Sequence, residues 1–255
     1  MHPLEKSHYS KLLNQDMKYS IFGTGGKIFL AFPSQDGTYD EFNLYGMVDC
    51  IESYITNKQC MIVCVDGYDR QSYDAFDLSE HQRITNATYY QQYILNELIP
   101  AIKKHYKKVT GKAYKDKIGL TGCSMGAYHA LNFALNYPDT FQDIICLSGI
   151  YHAAFFFPNY QDTQIYFNSP IDLLTHLDIN HPVVNKYRQL NLILCVGQGA
   201  WEDESLEDLK AVKAQCYRLA IPCWADIWGY DVEHHWYWWK KQLPYFMEHC
   251  LNHDH

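Results

Sequence analysis

The residues best suited to covalent chemistry are Gly-Cys-Ser-Met-Gly at positions 122–126. The run KIGLT before them is typical of a short strand, and residues 126–136 have the pattern of a helix. A sharp turn between a strand and a helix holds the central serine in a strained conformation with its hydroxyl exposed, and flanking glycines let strand and helix approach closely. The helix N-terminus also places N–H groups near a developing oxyanion. The pattern therefore predicts Ser124 as a nucleophile.

A serine hydroxyl is a weak nucleophile without a base, so the chain must also supply a histidine. In folds with this serine turn, an acid and then the histidine follow the nucleophile along the chain. His234 and His235 come just after the apolar run PCWADIW, where a strand would present them at its carboxyl end. Three later histidines lie in or beyond the last predicted helix, a poor place for a fixed base: His249, His253 and His255. The predicted base is therefore His234 or His235.

The acid should follow the preceding strand, and three carboxylates come soon after the apolar run NLILCVG: Glu202, Asp203 and Glu204. Glu202 is the first of them and lies nearest the strand end, where the sheet fixes the backbone best. Acidic side chains also stabilise the N-terminus of a helix, and this role accounts for at least two of the three carboxylates. We predict Glu202 as the acid that orients the base.

An oxyanion needs two N–H donors. One is predicted to be the backbone of Met125, directly after the nucleophile. The other is expected in the loop that follows the run KIFLAF. Because Pro33 has no N–H, the donor there is Ser34 or Gln35, and the position favours Gln35.

Apolar runs of strand length alternate with helix-length segments along the chain. The predicted strands are 27–32, 60–65, 117–121, 143–149, 191–197 and 222–228, and the predicted helices cover about 41–57, 85–108, 126–136, 205–219 and 236–251. Pro244 is expected to kink or split the last helix. Strands that are apolar throughout and alternate with helices indicate a parallel sheet covered on both faces. The predicted fold class is α/β, with a mostly parallel, doubly wound central sheet.

Residues 151–188 break this alternation, because the segment is long, aromatic, irregular and rich in proline. An insertion of this kind usually lies over the carboxyl ends of the strands, where ligands bind. Phe156 in this insertion is therefore a predicted substrate contact. Trp201 and Trp236, near the predicted acid and base, are predicted substrate contacts as well. A second interpretation of the aromatic run at 236–239 is that it wedges the last helix onto the sheet.

Composition excludes several classes of protein. The chain has 255 residues, of which 21 are basic and 29 acidic, and its net charge of −8 argues against nucleic acid or an anionic membrane as a partner. It has no secretory signal pattern and no apolar run approaching the ~18 residues of a membrane span. Its nine cysteines form no CxxC or Cys/His zinc pattern, which favours reduced thiols in a cytoplasmic protein without a metal or organic cofactor. The expected partner is a small-molecule substrate. Composition leaves open whether the chain also forms a homo-oligomer.

Residues 122–141, GCSMGAYHALNFALNYPDTF, resemble the putative-esterase family of α/β-hydrolases. That family includes feruloyl and acetyl esterases, enterochelin esterases and mycolyltransferases. Three further stretches are similar to a bacterial subgroup of the family: residues 32–55, 197–204 and 228–246. The resemblance covers about residues 20–250. It implies an α/β-hydrolase fold formed by a single domain over residues 1–255.

The resemblance also implies roles for individual residues. The family usually has His-Asp-Trp or His-Asn-Trp where this chain has His-His-Trp at 234–236, which aligns His234 with the base. The stretch GQGAWE likewise aligns Glu202 with the acid. The implied activity is hydrolysis of a carboxylic ester through an acyl-enzyme on Ser124. The alternatives are acyl transfer to an alcohol by the same triad and a catalytically silent binding module on this fold.

Overall fold

A computed structural model of the protein describes residues 1–158 and 163–252. Within these residues the centre is an eight-stranded sheet with the order β1-β2-β4-β3-β5-β6-β7-β8. The strands are β1 (Leu4–Ser10), β2 (Gln15–Phe22), β3 (Lys27–Phe32), β4 (Cys60–Val65), β5 (Ile118–Cys123), β6 (Phe141–Leu147), β7 (Asn191–Val196) and β8 (Cys223–Ile227). The pairs of β2 with β1 and with β4 are antiparallel, and every other pair is parallel. The carboxyl ends of β3 to β8 therefore lie along one edge of the sheet.

Helices cover both faces of this sheet. They are α1 (Glu41–Leu44), α2 (Glu52–Thr56), α3 (Glu80–Tyr93), α4 (Ile99–Thr110), α5 (Met125–Asn136), α6 (Thr163–Phe167), α7 (Pro170–Thr175), α8 (Pro182–Tyr187), α9 (Asp203–Arg218) and α10 (Trp236–Asn252). One face of the sheet shares an apolar core with side chains of α3, α4, α5, α7, α8 and α9. The other face shares a second core with side chains of α1, α2 and α10. No helix among the described residues is long and apolar enough to cross a membrane.

The strands alternate between the two cores. In β3, Ile28 and Leu30 belong to the core under α5, while Phe29 and Ala31 belong to the core under α10. The same alternation occurs in β4, β6 and β7. Because helices cover both faces, most successive residues of these strands are apolar, and this explains the apolar runs in the sequence.

The structure confirms the predicted α/β class and its mostly parallel, doubly wound sheet. Each of the six predicted strands is present, with ends within two residues of the prediction. Strands β1 and β2 were not predicted, since β1 is largely exposed and polar and its structure depends on pairing with β2. The expected split at Pro244 is wrong, because α10 runs through it while burying Leu243, Phe246 and Met247. That residues 1–255 form one domain stays a prediction.

The predicted insertion at 151–188 contains α6, α7 and α8, and its residues 159–162 lie outside the described residues. The insertion is anchored by the side chain of Asn168, which is 3% exposed. The Oδ1 atom of Asn168 accepts hydrogen bonds from the Tyr73 hydroxyl at 3.3 Å, from Gln91 Nε2 at 2.6 Å and from Asn132 Nδ2 at 2.9 Å. One buried amide therefore ties the insertion to α3, to α5 and to the loop before α3.

We predict that Asn168→Ala lowers the free energy of unfolding by about 3 kcal/mol, because three buried donors lose their acceptor and each unpaired buried donor costs about 1–3 kcal/mol. The control is Asn180→Ala, an exposed asparagine in the same insertion, which should change the value by less than about 0.5 kcal/mol. Urea denaturation of the three proteins provides the comparison. Equal stability of the two variants would show that Asn168 does not anchor the insertion.

Candidate active site

The predicted nucleophile, acid and base come from three strands whose carboxyl ends lie at the same edge. Strands β5, β6, β7 and β8 are adjacent and parallel. Ser124 follows β5 directly, Glu202 lies in the loop after β7, and His234 lies in the loop after β8. The remaining strand, β6, is followed by Ser148, which was not predicted from the sequence as a site residue. Sheet topology therefore collects residues that are more than 100 positions apart in the chain.

Ser124 occupies a strained turn between β5 and α5. Its backbone has φ 55° and ψ −121°, and its N–H donates to the carbonyl of Leu147 at 2.9 Å. A Cβ on Gly122 would come within 2.3 Å of the backbone of Gly126, and a Cβ on Gly126 would come within 2.5 Å of the carbonyl oxygen of Phe32. Both glycines are therefore required by close backbone contacts, and these contacts hold the serine at the head of the helix.

Glu202 and His234 form a hydrogen-bonded pair. His234 donates Nδ1–H to Glu202 Oε2 at 3.3 Å, and the carboxylate is only 1% exposed. The backbone of His234 is held as well, because its N–H donates to the carbonyl of Ala200 at 3.0 Å. With Nδ1 protonated, the opposite nitrogen of the ring is free to accept a proton. Among the described residues no hydrogen bond joins Ser124 to His234, and such contacts often form only when substrate is bound.

The second oxygen of the Glu202 carboxylate is held by Ser148, which follows β6 and is itself held by Trp239 of α10. The Ser148 hydroxyl donates to Glu202 Oε1 at 2.6 Å, and the indole N–H of Trp239 donates to Ser148 Oγ at 2.9 Å. The Trp239 ring also meets the His234 ring edge-to-face, with centroids 4.9 Å apart. Trp239 therefore supports both the acid and the base. Part of the aromatic run at 236–239 does wedge the last helix onto the sheet, which was the second interpretation of that run.

The structure separates the two residues considered for the second oxyanion donor. The backbone N–H of Ser34 donates to Glu41 Oε2 at 2.7 Å, and its hydroxyl donates to Glu41 Oε1 at 2.8 Å. The Ser34 amide is therefore already engaged, whereas Gln35 lies beside Ser124 and Met125 in one pocket. Met125 is the first residue of α5, so its N–H has no acceptor within the helix. This placement favours the amides of Gln35 and Met125 as the donors.

Glu41 was not identified from the sequence, although it lies in the stretch at 32–55 on which the family resemblance partly rests. Burial raises the pKa of the Glu41 carboxyl, while the two hydrogen bonds from Ser34 lower it. A Cβ on Gly37 would come within 2.6 Å of the same carboxylate, so this glycine lets the loop close around it. Glu41 thereby fixes the turn that carries Gln35.

A small pocket of about 50 Å³ opens beside Ser124. It is lined by Gln35, Ser124, Met125, Tyr128, Ile150, Phe155 and Phe156. Phe156, a predicted substrate contact, therefore belongs to the wall of this pocket. Trp201 and Trp236 do not line it: the Trp201 side chain is 87% exposed, and Trp236 stacks on Tyr45 with ring centroids 4.5 Å apart.

The neighbours of Ser124, Glu202 and His234 in the chain have similar chemistry but lie outside the candidate site. His235 is exposed, and its Nδ1 accepts the N–H of Tyr237 at 3.2 Å at the start of α10. Asp203 and Glu204 are exposed in the first turn of α9, where negative side chains interact favourably with the helix dipole. Cys123, next to the nucleophile, is buried, and burial raises the pKa of its thiol, so it is an inert packing residue. Among residues 1–158 and 163–252, no cluster of His, Cys, Asp or Glu is arranged to hold a metal ion.

Comparison with known proteins identifies the family. Residues 10–249 match the family model described as Putative esterase, and the chain belongs to that family. No curated protein matches the sequence significantly. The resemblance inferred from the sequence is thus confirmed over nearly the whole chain.

Solved structures show the same fold at low sequence identity. A ferulic acid esterase is 18% identical, with 96% of this chain and 97% of that chain covered and a TM-score of 0.72. The S-formylglutathione hydrolase FrmB from Staphylococcus aureus is 14% identical, with 98% and 99% covered and a TM-score of 0.71. MPT51 (FbpC1) from Mycobacterium tuberculosis is 10% identical, with 98% of each chain covered and a TM-score of 0.71. The chain has the α/β-hydrolase fold, and its family confirms the predicted class of enzyme, an esterase.

The two adjacent histidines provide a test of the predicted base. We expect His234→Ala to lower kcat/KM by about 10³-fold or more, because members of a triad act as a unit. His235→Ala is the matched control and should stay within about tenfold, since its ring is exposed and contacts only the start of α10. Steady-state kinetics on one ester distinguishes them. A larger loss in His235→Ala than in His234→Ala would show that the base is assigned to the wrong residue.

The predicted acid is tested by replacing its carboxylate with an amide of the same shape. In Glu202→Gln the side chain can no longer stabilise the imidazolium, and an amide N–H facing Nδ1 favours the wrong tautomer of His234. We expect kcat to fall by about 10²–10⁴-fold with little change in KM. Glu204→Gln, an exposed position on the same helix turn, is the control and should remain within about tenfold of the wild-type kcat. Similar kcat values for the two variants would exclude Glu202 as the acid.

Proposed function

We propose that the protein hydrolyses a small-molecule carboxylic ester through an acyl-enzyme, with Ser124 as nucleophile, His234 as base and Glu202 as the acid. The observation that carries the proposal is the buried Glu202–His234 pair at 3.3 Å. It lies at the edge of the sheet where the strained turn presents Ser124. A buried carboxylate hydrogen-bonded to histidine beside such a serine is the arrangement that activates a serine hydroxyl.

In the first half of the reaction, Ser124 Oγ attacks the ester carbonyl carbon and its proton moves to His234 Nε2. The carbonyl oxygen becomes an oxyanion, which the N–H groups of Met125 and Gln35 stabilise. The tetrahedral intermediate then collapses, the bond to the leaving oxygen breaks, and His234 returns the proton to that oxygen. An alcohol leaves, and the acyl group remains on Ser124.

In the second half, a water molecule takes the place of the alcohol. His234 accepts a proton from the water as it attacks the acyl carbon, and then gives a proton back to Ser124 Oγ as the acyl–enzyme bond breaks. A carboxylic acid leaves. Glu202 keeps the imidazole in one orientation in both halves, and the hydrogen bonds from Ser148 and from His234 hold its two oxygens. Water supplies every atom gained, so the reaction needs no cofactor.

The leaving alcohol must lie on the side of Ser124 that faces His234, since that residue protonates it. Trp201 adjoins Glu202 in the chain, and Trp236 comes two residues after His234. Because each lies within two residues of the proposed acid or base, we propose that both contact the alcohol portion of the ester. The flat stack of Trp236 on Tyr45 joins the base loop to the segment at 41–45 and would form part of that surface.

The cysteines support the proposed cytoplasmic location. All nine are free thiols, and seven of them are buried. Burial raises the pKa of Cys60 and of Cys64 to about 12, so these thiols are poor nucleophiles and resist oxidation. Free thiols in such number fit a reducing compartment.

The proposal is tested with a fluorophosphonate probe and with ester turnover. We expect the probe to label the wild-type protein covalently and not to label Ser124→Ala, which should lose about 10⁴-fold or more in kcat/KM. Ser124→Ala deletes one oxygen atom, so its thermal unfolding midpoint should stay close to that of the wild type.

The matched control is Ser53→Ala, an exposed serine on α2 that should be labelled and active like the wild type. Residual turnover within tenfold of wild type in Ser124→Ala would exclude Ser124 as the nucleophile. A wild-type protein that neither reacts with the probe nor turns over any ester would indicate a silent binding module instead.

A further inference from the structure

The pocket beside Ser124 has a defined direction with respect to the reacting carbon. Its lining includes Ser124 and both proposed oxyanion donors, Gln35 and Met125, but neither His234 nor Glu202. In the tetrahedral intermediate the carbon carries four groups: the serine oxygen, the oxyanion, the leaving oxygen and the acyl substituent. The oxyanion must face the donors, and the leaving oxygen must face His234. The pocket then lies in the remaining direction, towards which the acyl substituent points.

The volume of the pocket sets the size of that substituent. The pocket holds about 50 Å³, about a third of the volume of an apolar cavity that binds benzene, which measures about 150 Å³. The space therefore fits a short acyl chain and is smaller than an aromatic ring needs.

The buried walls of the pocket are held by contacts that oppose its enlargement. Tyr128 is fully buried, and its hydroxyl donates to the carbonyl of Asn168. Phe156, which is 5% exposed, meets Tyr73 edge-to-face at 5.1 Å and Tyr128 at 5.8 Å. Tyr73 in turn meets Tyr128 at 5.5 Å. Rotating either wall residue would break several of these ring contacts or leave a buried hydroxyl unpaired.

We infer that this pocket receives the acyl group of the substrate and restricts the enzyme to short acyl esters, acetyl and propionyl, with Phe156 and Tyr128 as the residues that set the limit. The inference rests on the proposed function and adds the acyl class of its substrate. It also separates this protein from an enzyme for aromatic acyl groups, even though a ferulic acid esterase shares its fold at 18% identity.

The test compares p-nitrophenyl esters that share one leaving group and differ only in the acyl group: acetate, propionate, hexanoate, benzoate and cinnamate. Each kcat/KM is divided by the rate of alkaline hydrolysis of the same ester, which removes differences in intrinsic reactivity. We expect acetate or propionate to be best, and hexanoate, benzoate and cinnamate to be lower by at least about tenfold, the discrimination that one or more excess carbons can provide. Hexanoate, benzoate or cinnamate at a value within threefold of acetate would overturn the inference.

Variants of the pocket wall make the test specific. Phe156→Leu and Phe156→Ala should raise the ratio of hexanoate to acetate by about tenfold, with the smaller side chain giving the larger change. Two substitutions are used because Phe156→Ala empties part of a buried cluster and risks misfolding. The control is Phe167→Ala, an exposed phenylalanine of the same insertion that does not line the pocket and should leave the ratio unchanged. An unchanged ratio in a folded Phe156→Leu protein would exclude Phe156 as a determinant of acyl size.

The outcomes distinguish this inference from the proposed function. If no ester is hydrolysed and the fluorophosphonate does not label Ser124, the proposed function is wrong, and the inferred role of the pocket is then wrong as well. If Ser124 is labelled and esters are hydrolysed with no preference for short chains, only the acyl pocket is wrong.

Discussion

Gly122 and Gly126 lie in direct backbone contact, and Gly126 also lies against the carbonyl of Phe32 at the end of β3. Side chains at these two positions would force β3, β5 and α5 apart, because a Cβ on either glycine would lie 2.3–2.5 Å from backbone atoms. The contact has two consequences for the site. It turns the chain sharply enough to strain Ser124, and it brings the loop after β3, which carries Gln35, next to the head of α5. The proposed nucleophile and oxyanion donors are thus placed by one close approach of three elements.

The proposed acid and base depend on a second feature, the burial of a carboxylate in the loop after β7. A buried charge is costly unless it is hydrogen-bonded, and Glu202 accepts hydrogen bonds from Ser148 and His234. Trp239 completes the arrangement, since its indole N–H holds Ser148 while its ring packs against His234. Residues from α10 and from the loops after β6, β7 and β8 therefore cooperate to fix one imidazole. Such a network is stable only when each of its polar groups has a partner.

Many of the aromatic residues of the chain lie around the candidate site. Next to Ser124, the rings of Tyr73, Tyr128 and Phe156 form edge-to-face contacts that leave a small pocket. On the side of the base, Trp236 stacks on Tyr45 and meets Trp239 edge-to-face. The insertion that carries Phe156 is in turn held by the buried amide of Asn168. Packing of rings thereby links the shape of the pocket to the stability of the insertion.

Local pattern in the sequence was enough to predict the six central strands, most helices, the nucleophile turn and the loops that carry Glu202 and His234. Each of these depends on signals within a few residues: apolar runs for buried strands, glycines at a close approach, and carboxylates or histidines just after a strand. The hairpin of β1 and β2 was missed, because its polar residues become strand only through pairing with a neighbour. The expected split of the last helix at Pro244 was wrong for a related reason, since the packing of α10 on the sheet outweighs the one backbone hydrogen bond that proline removes.

Tertiary structure alone decided which partners meet. Ser148, Glu41 and Asn168 carry no local signal, because a serine, a glutamate or an asparagine acquires its role only from the groups that face it across the fold. The engagement of the Ser34 amide by Glu41, which leaves Gln35 as the available donor, is of this kind. So is the volume of the pocket, which depends on three rings brought together from separate segments. The sequence by itself determined the central strands, most helices and the candidate catalytic residues, whereas distances between segments follow only from packing, which no single stretch of sequence contains.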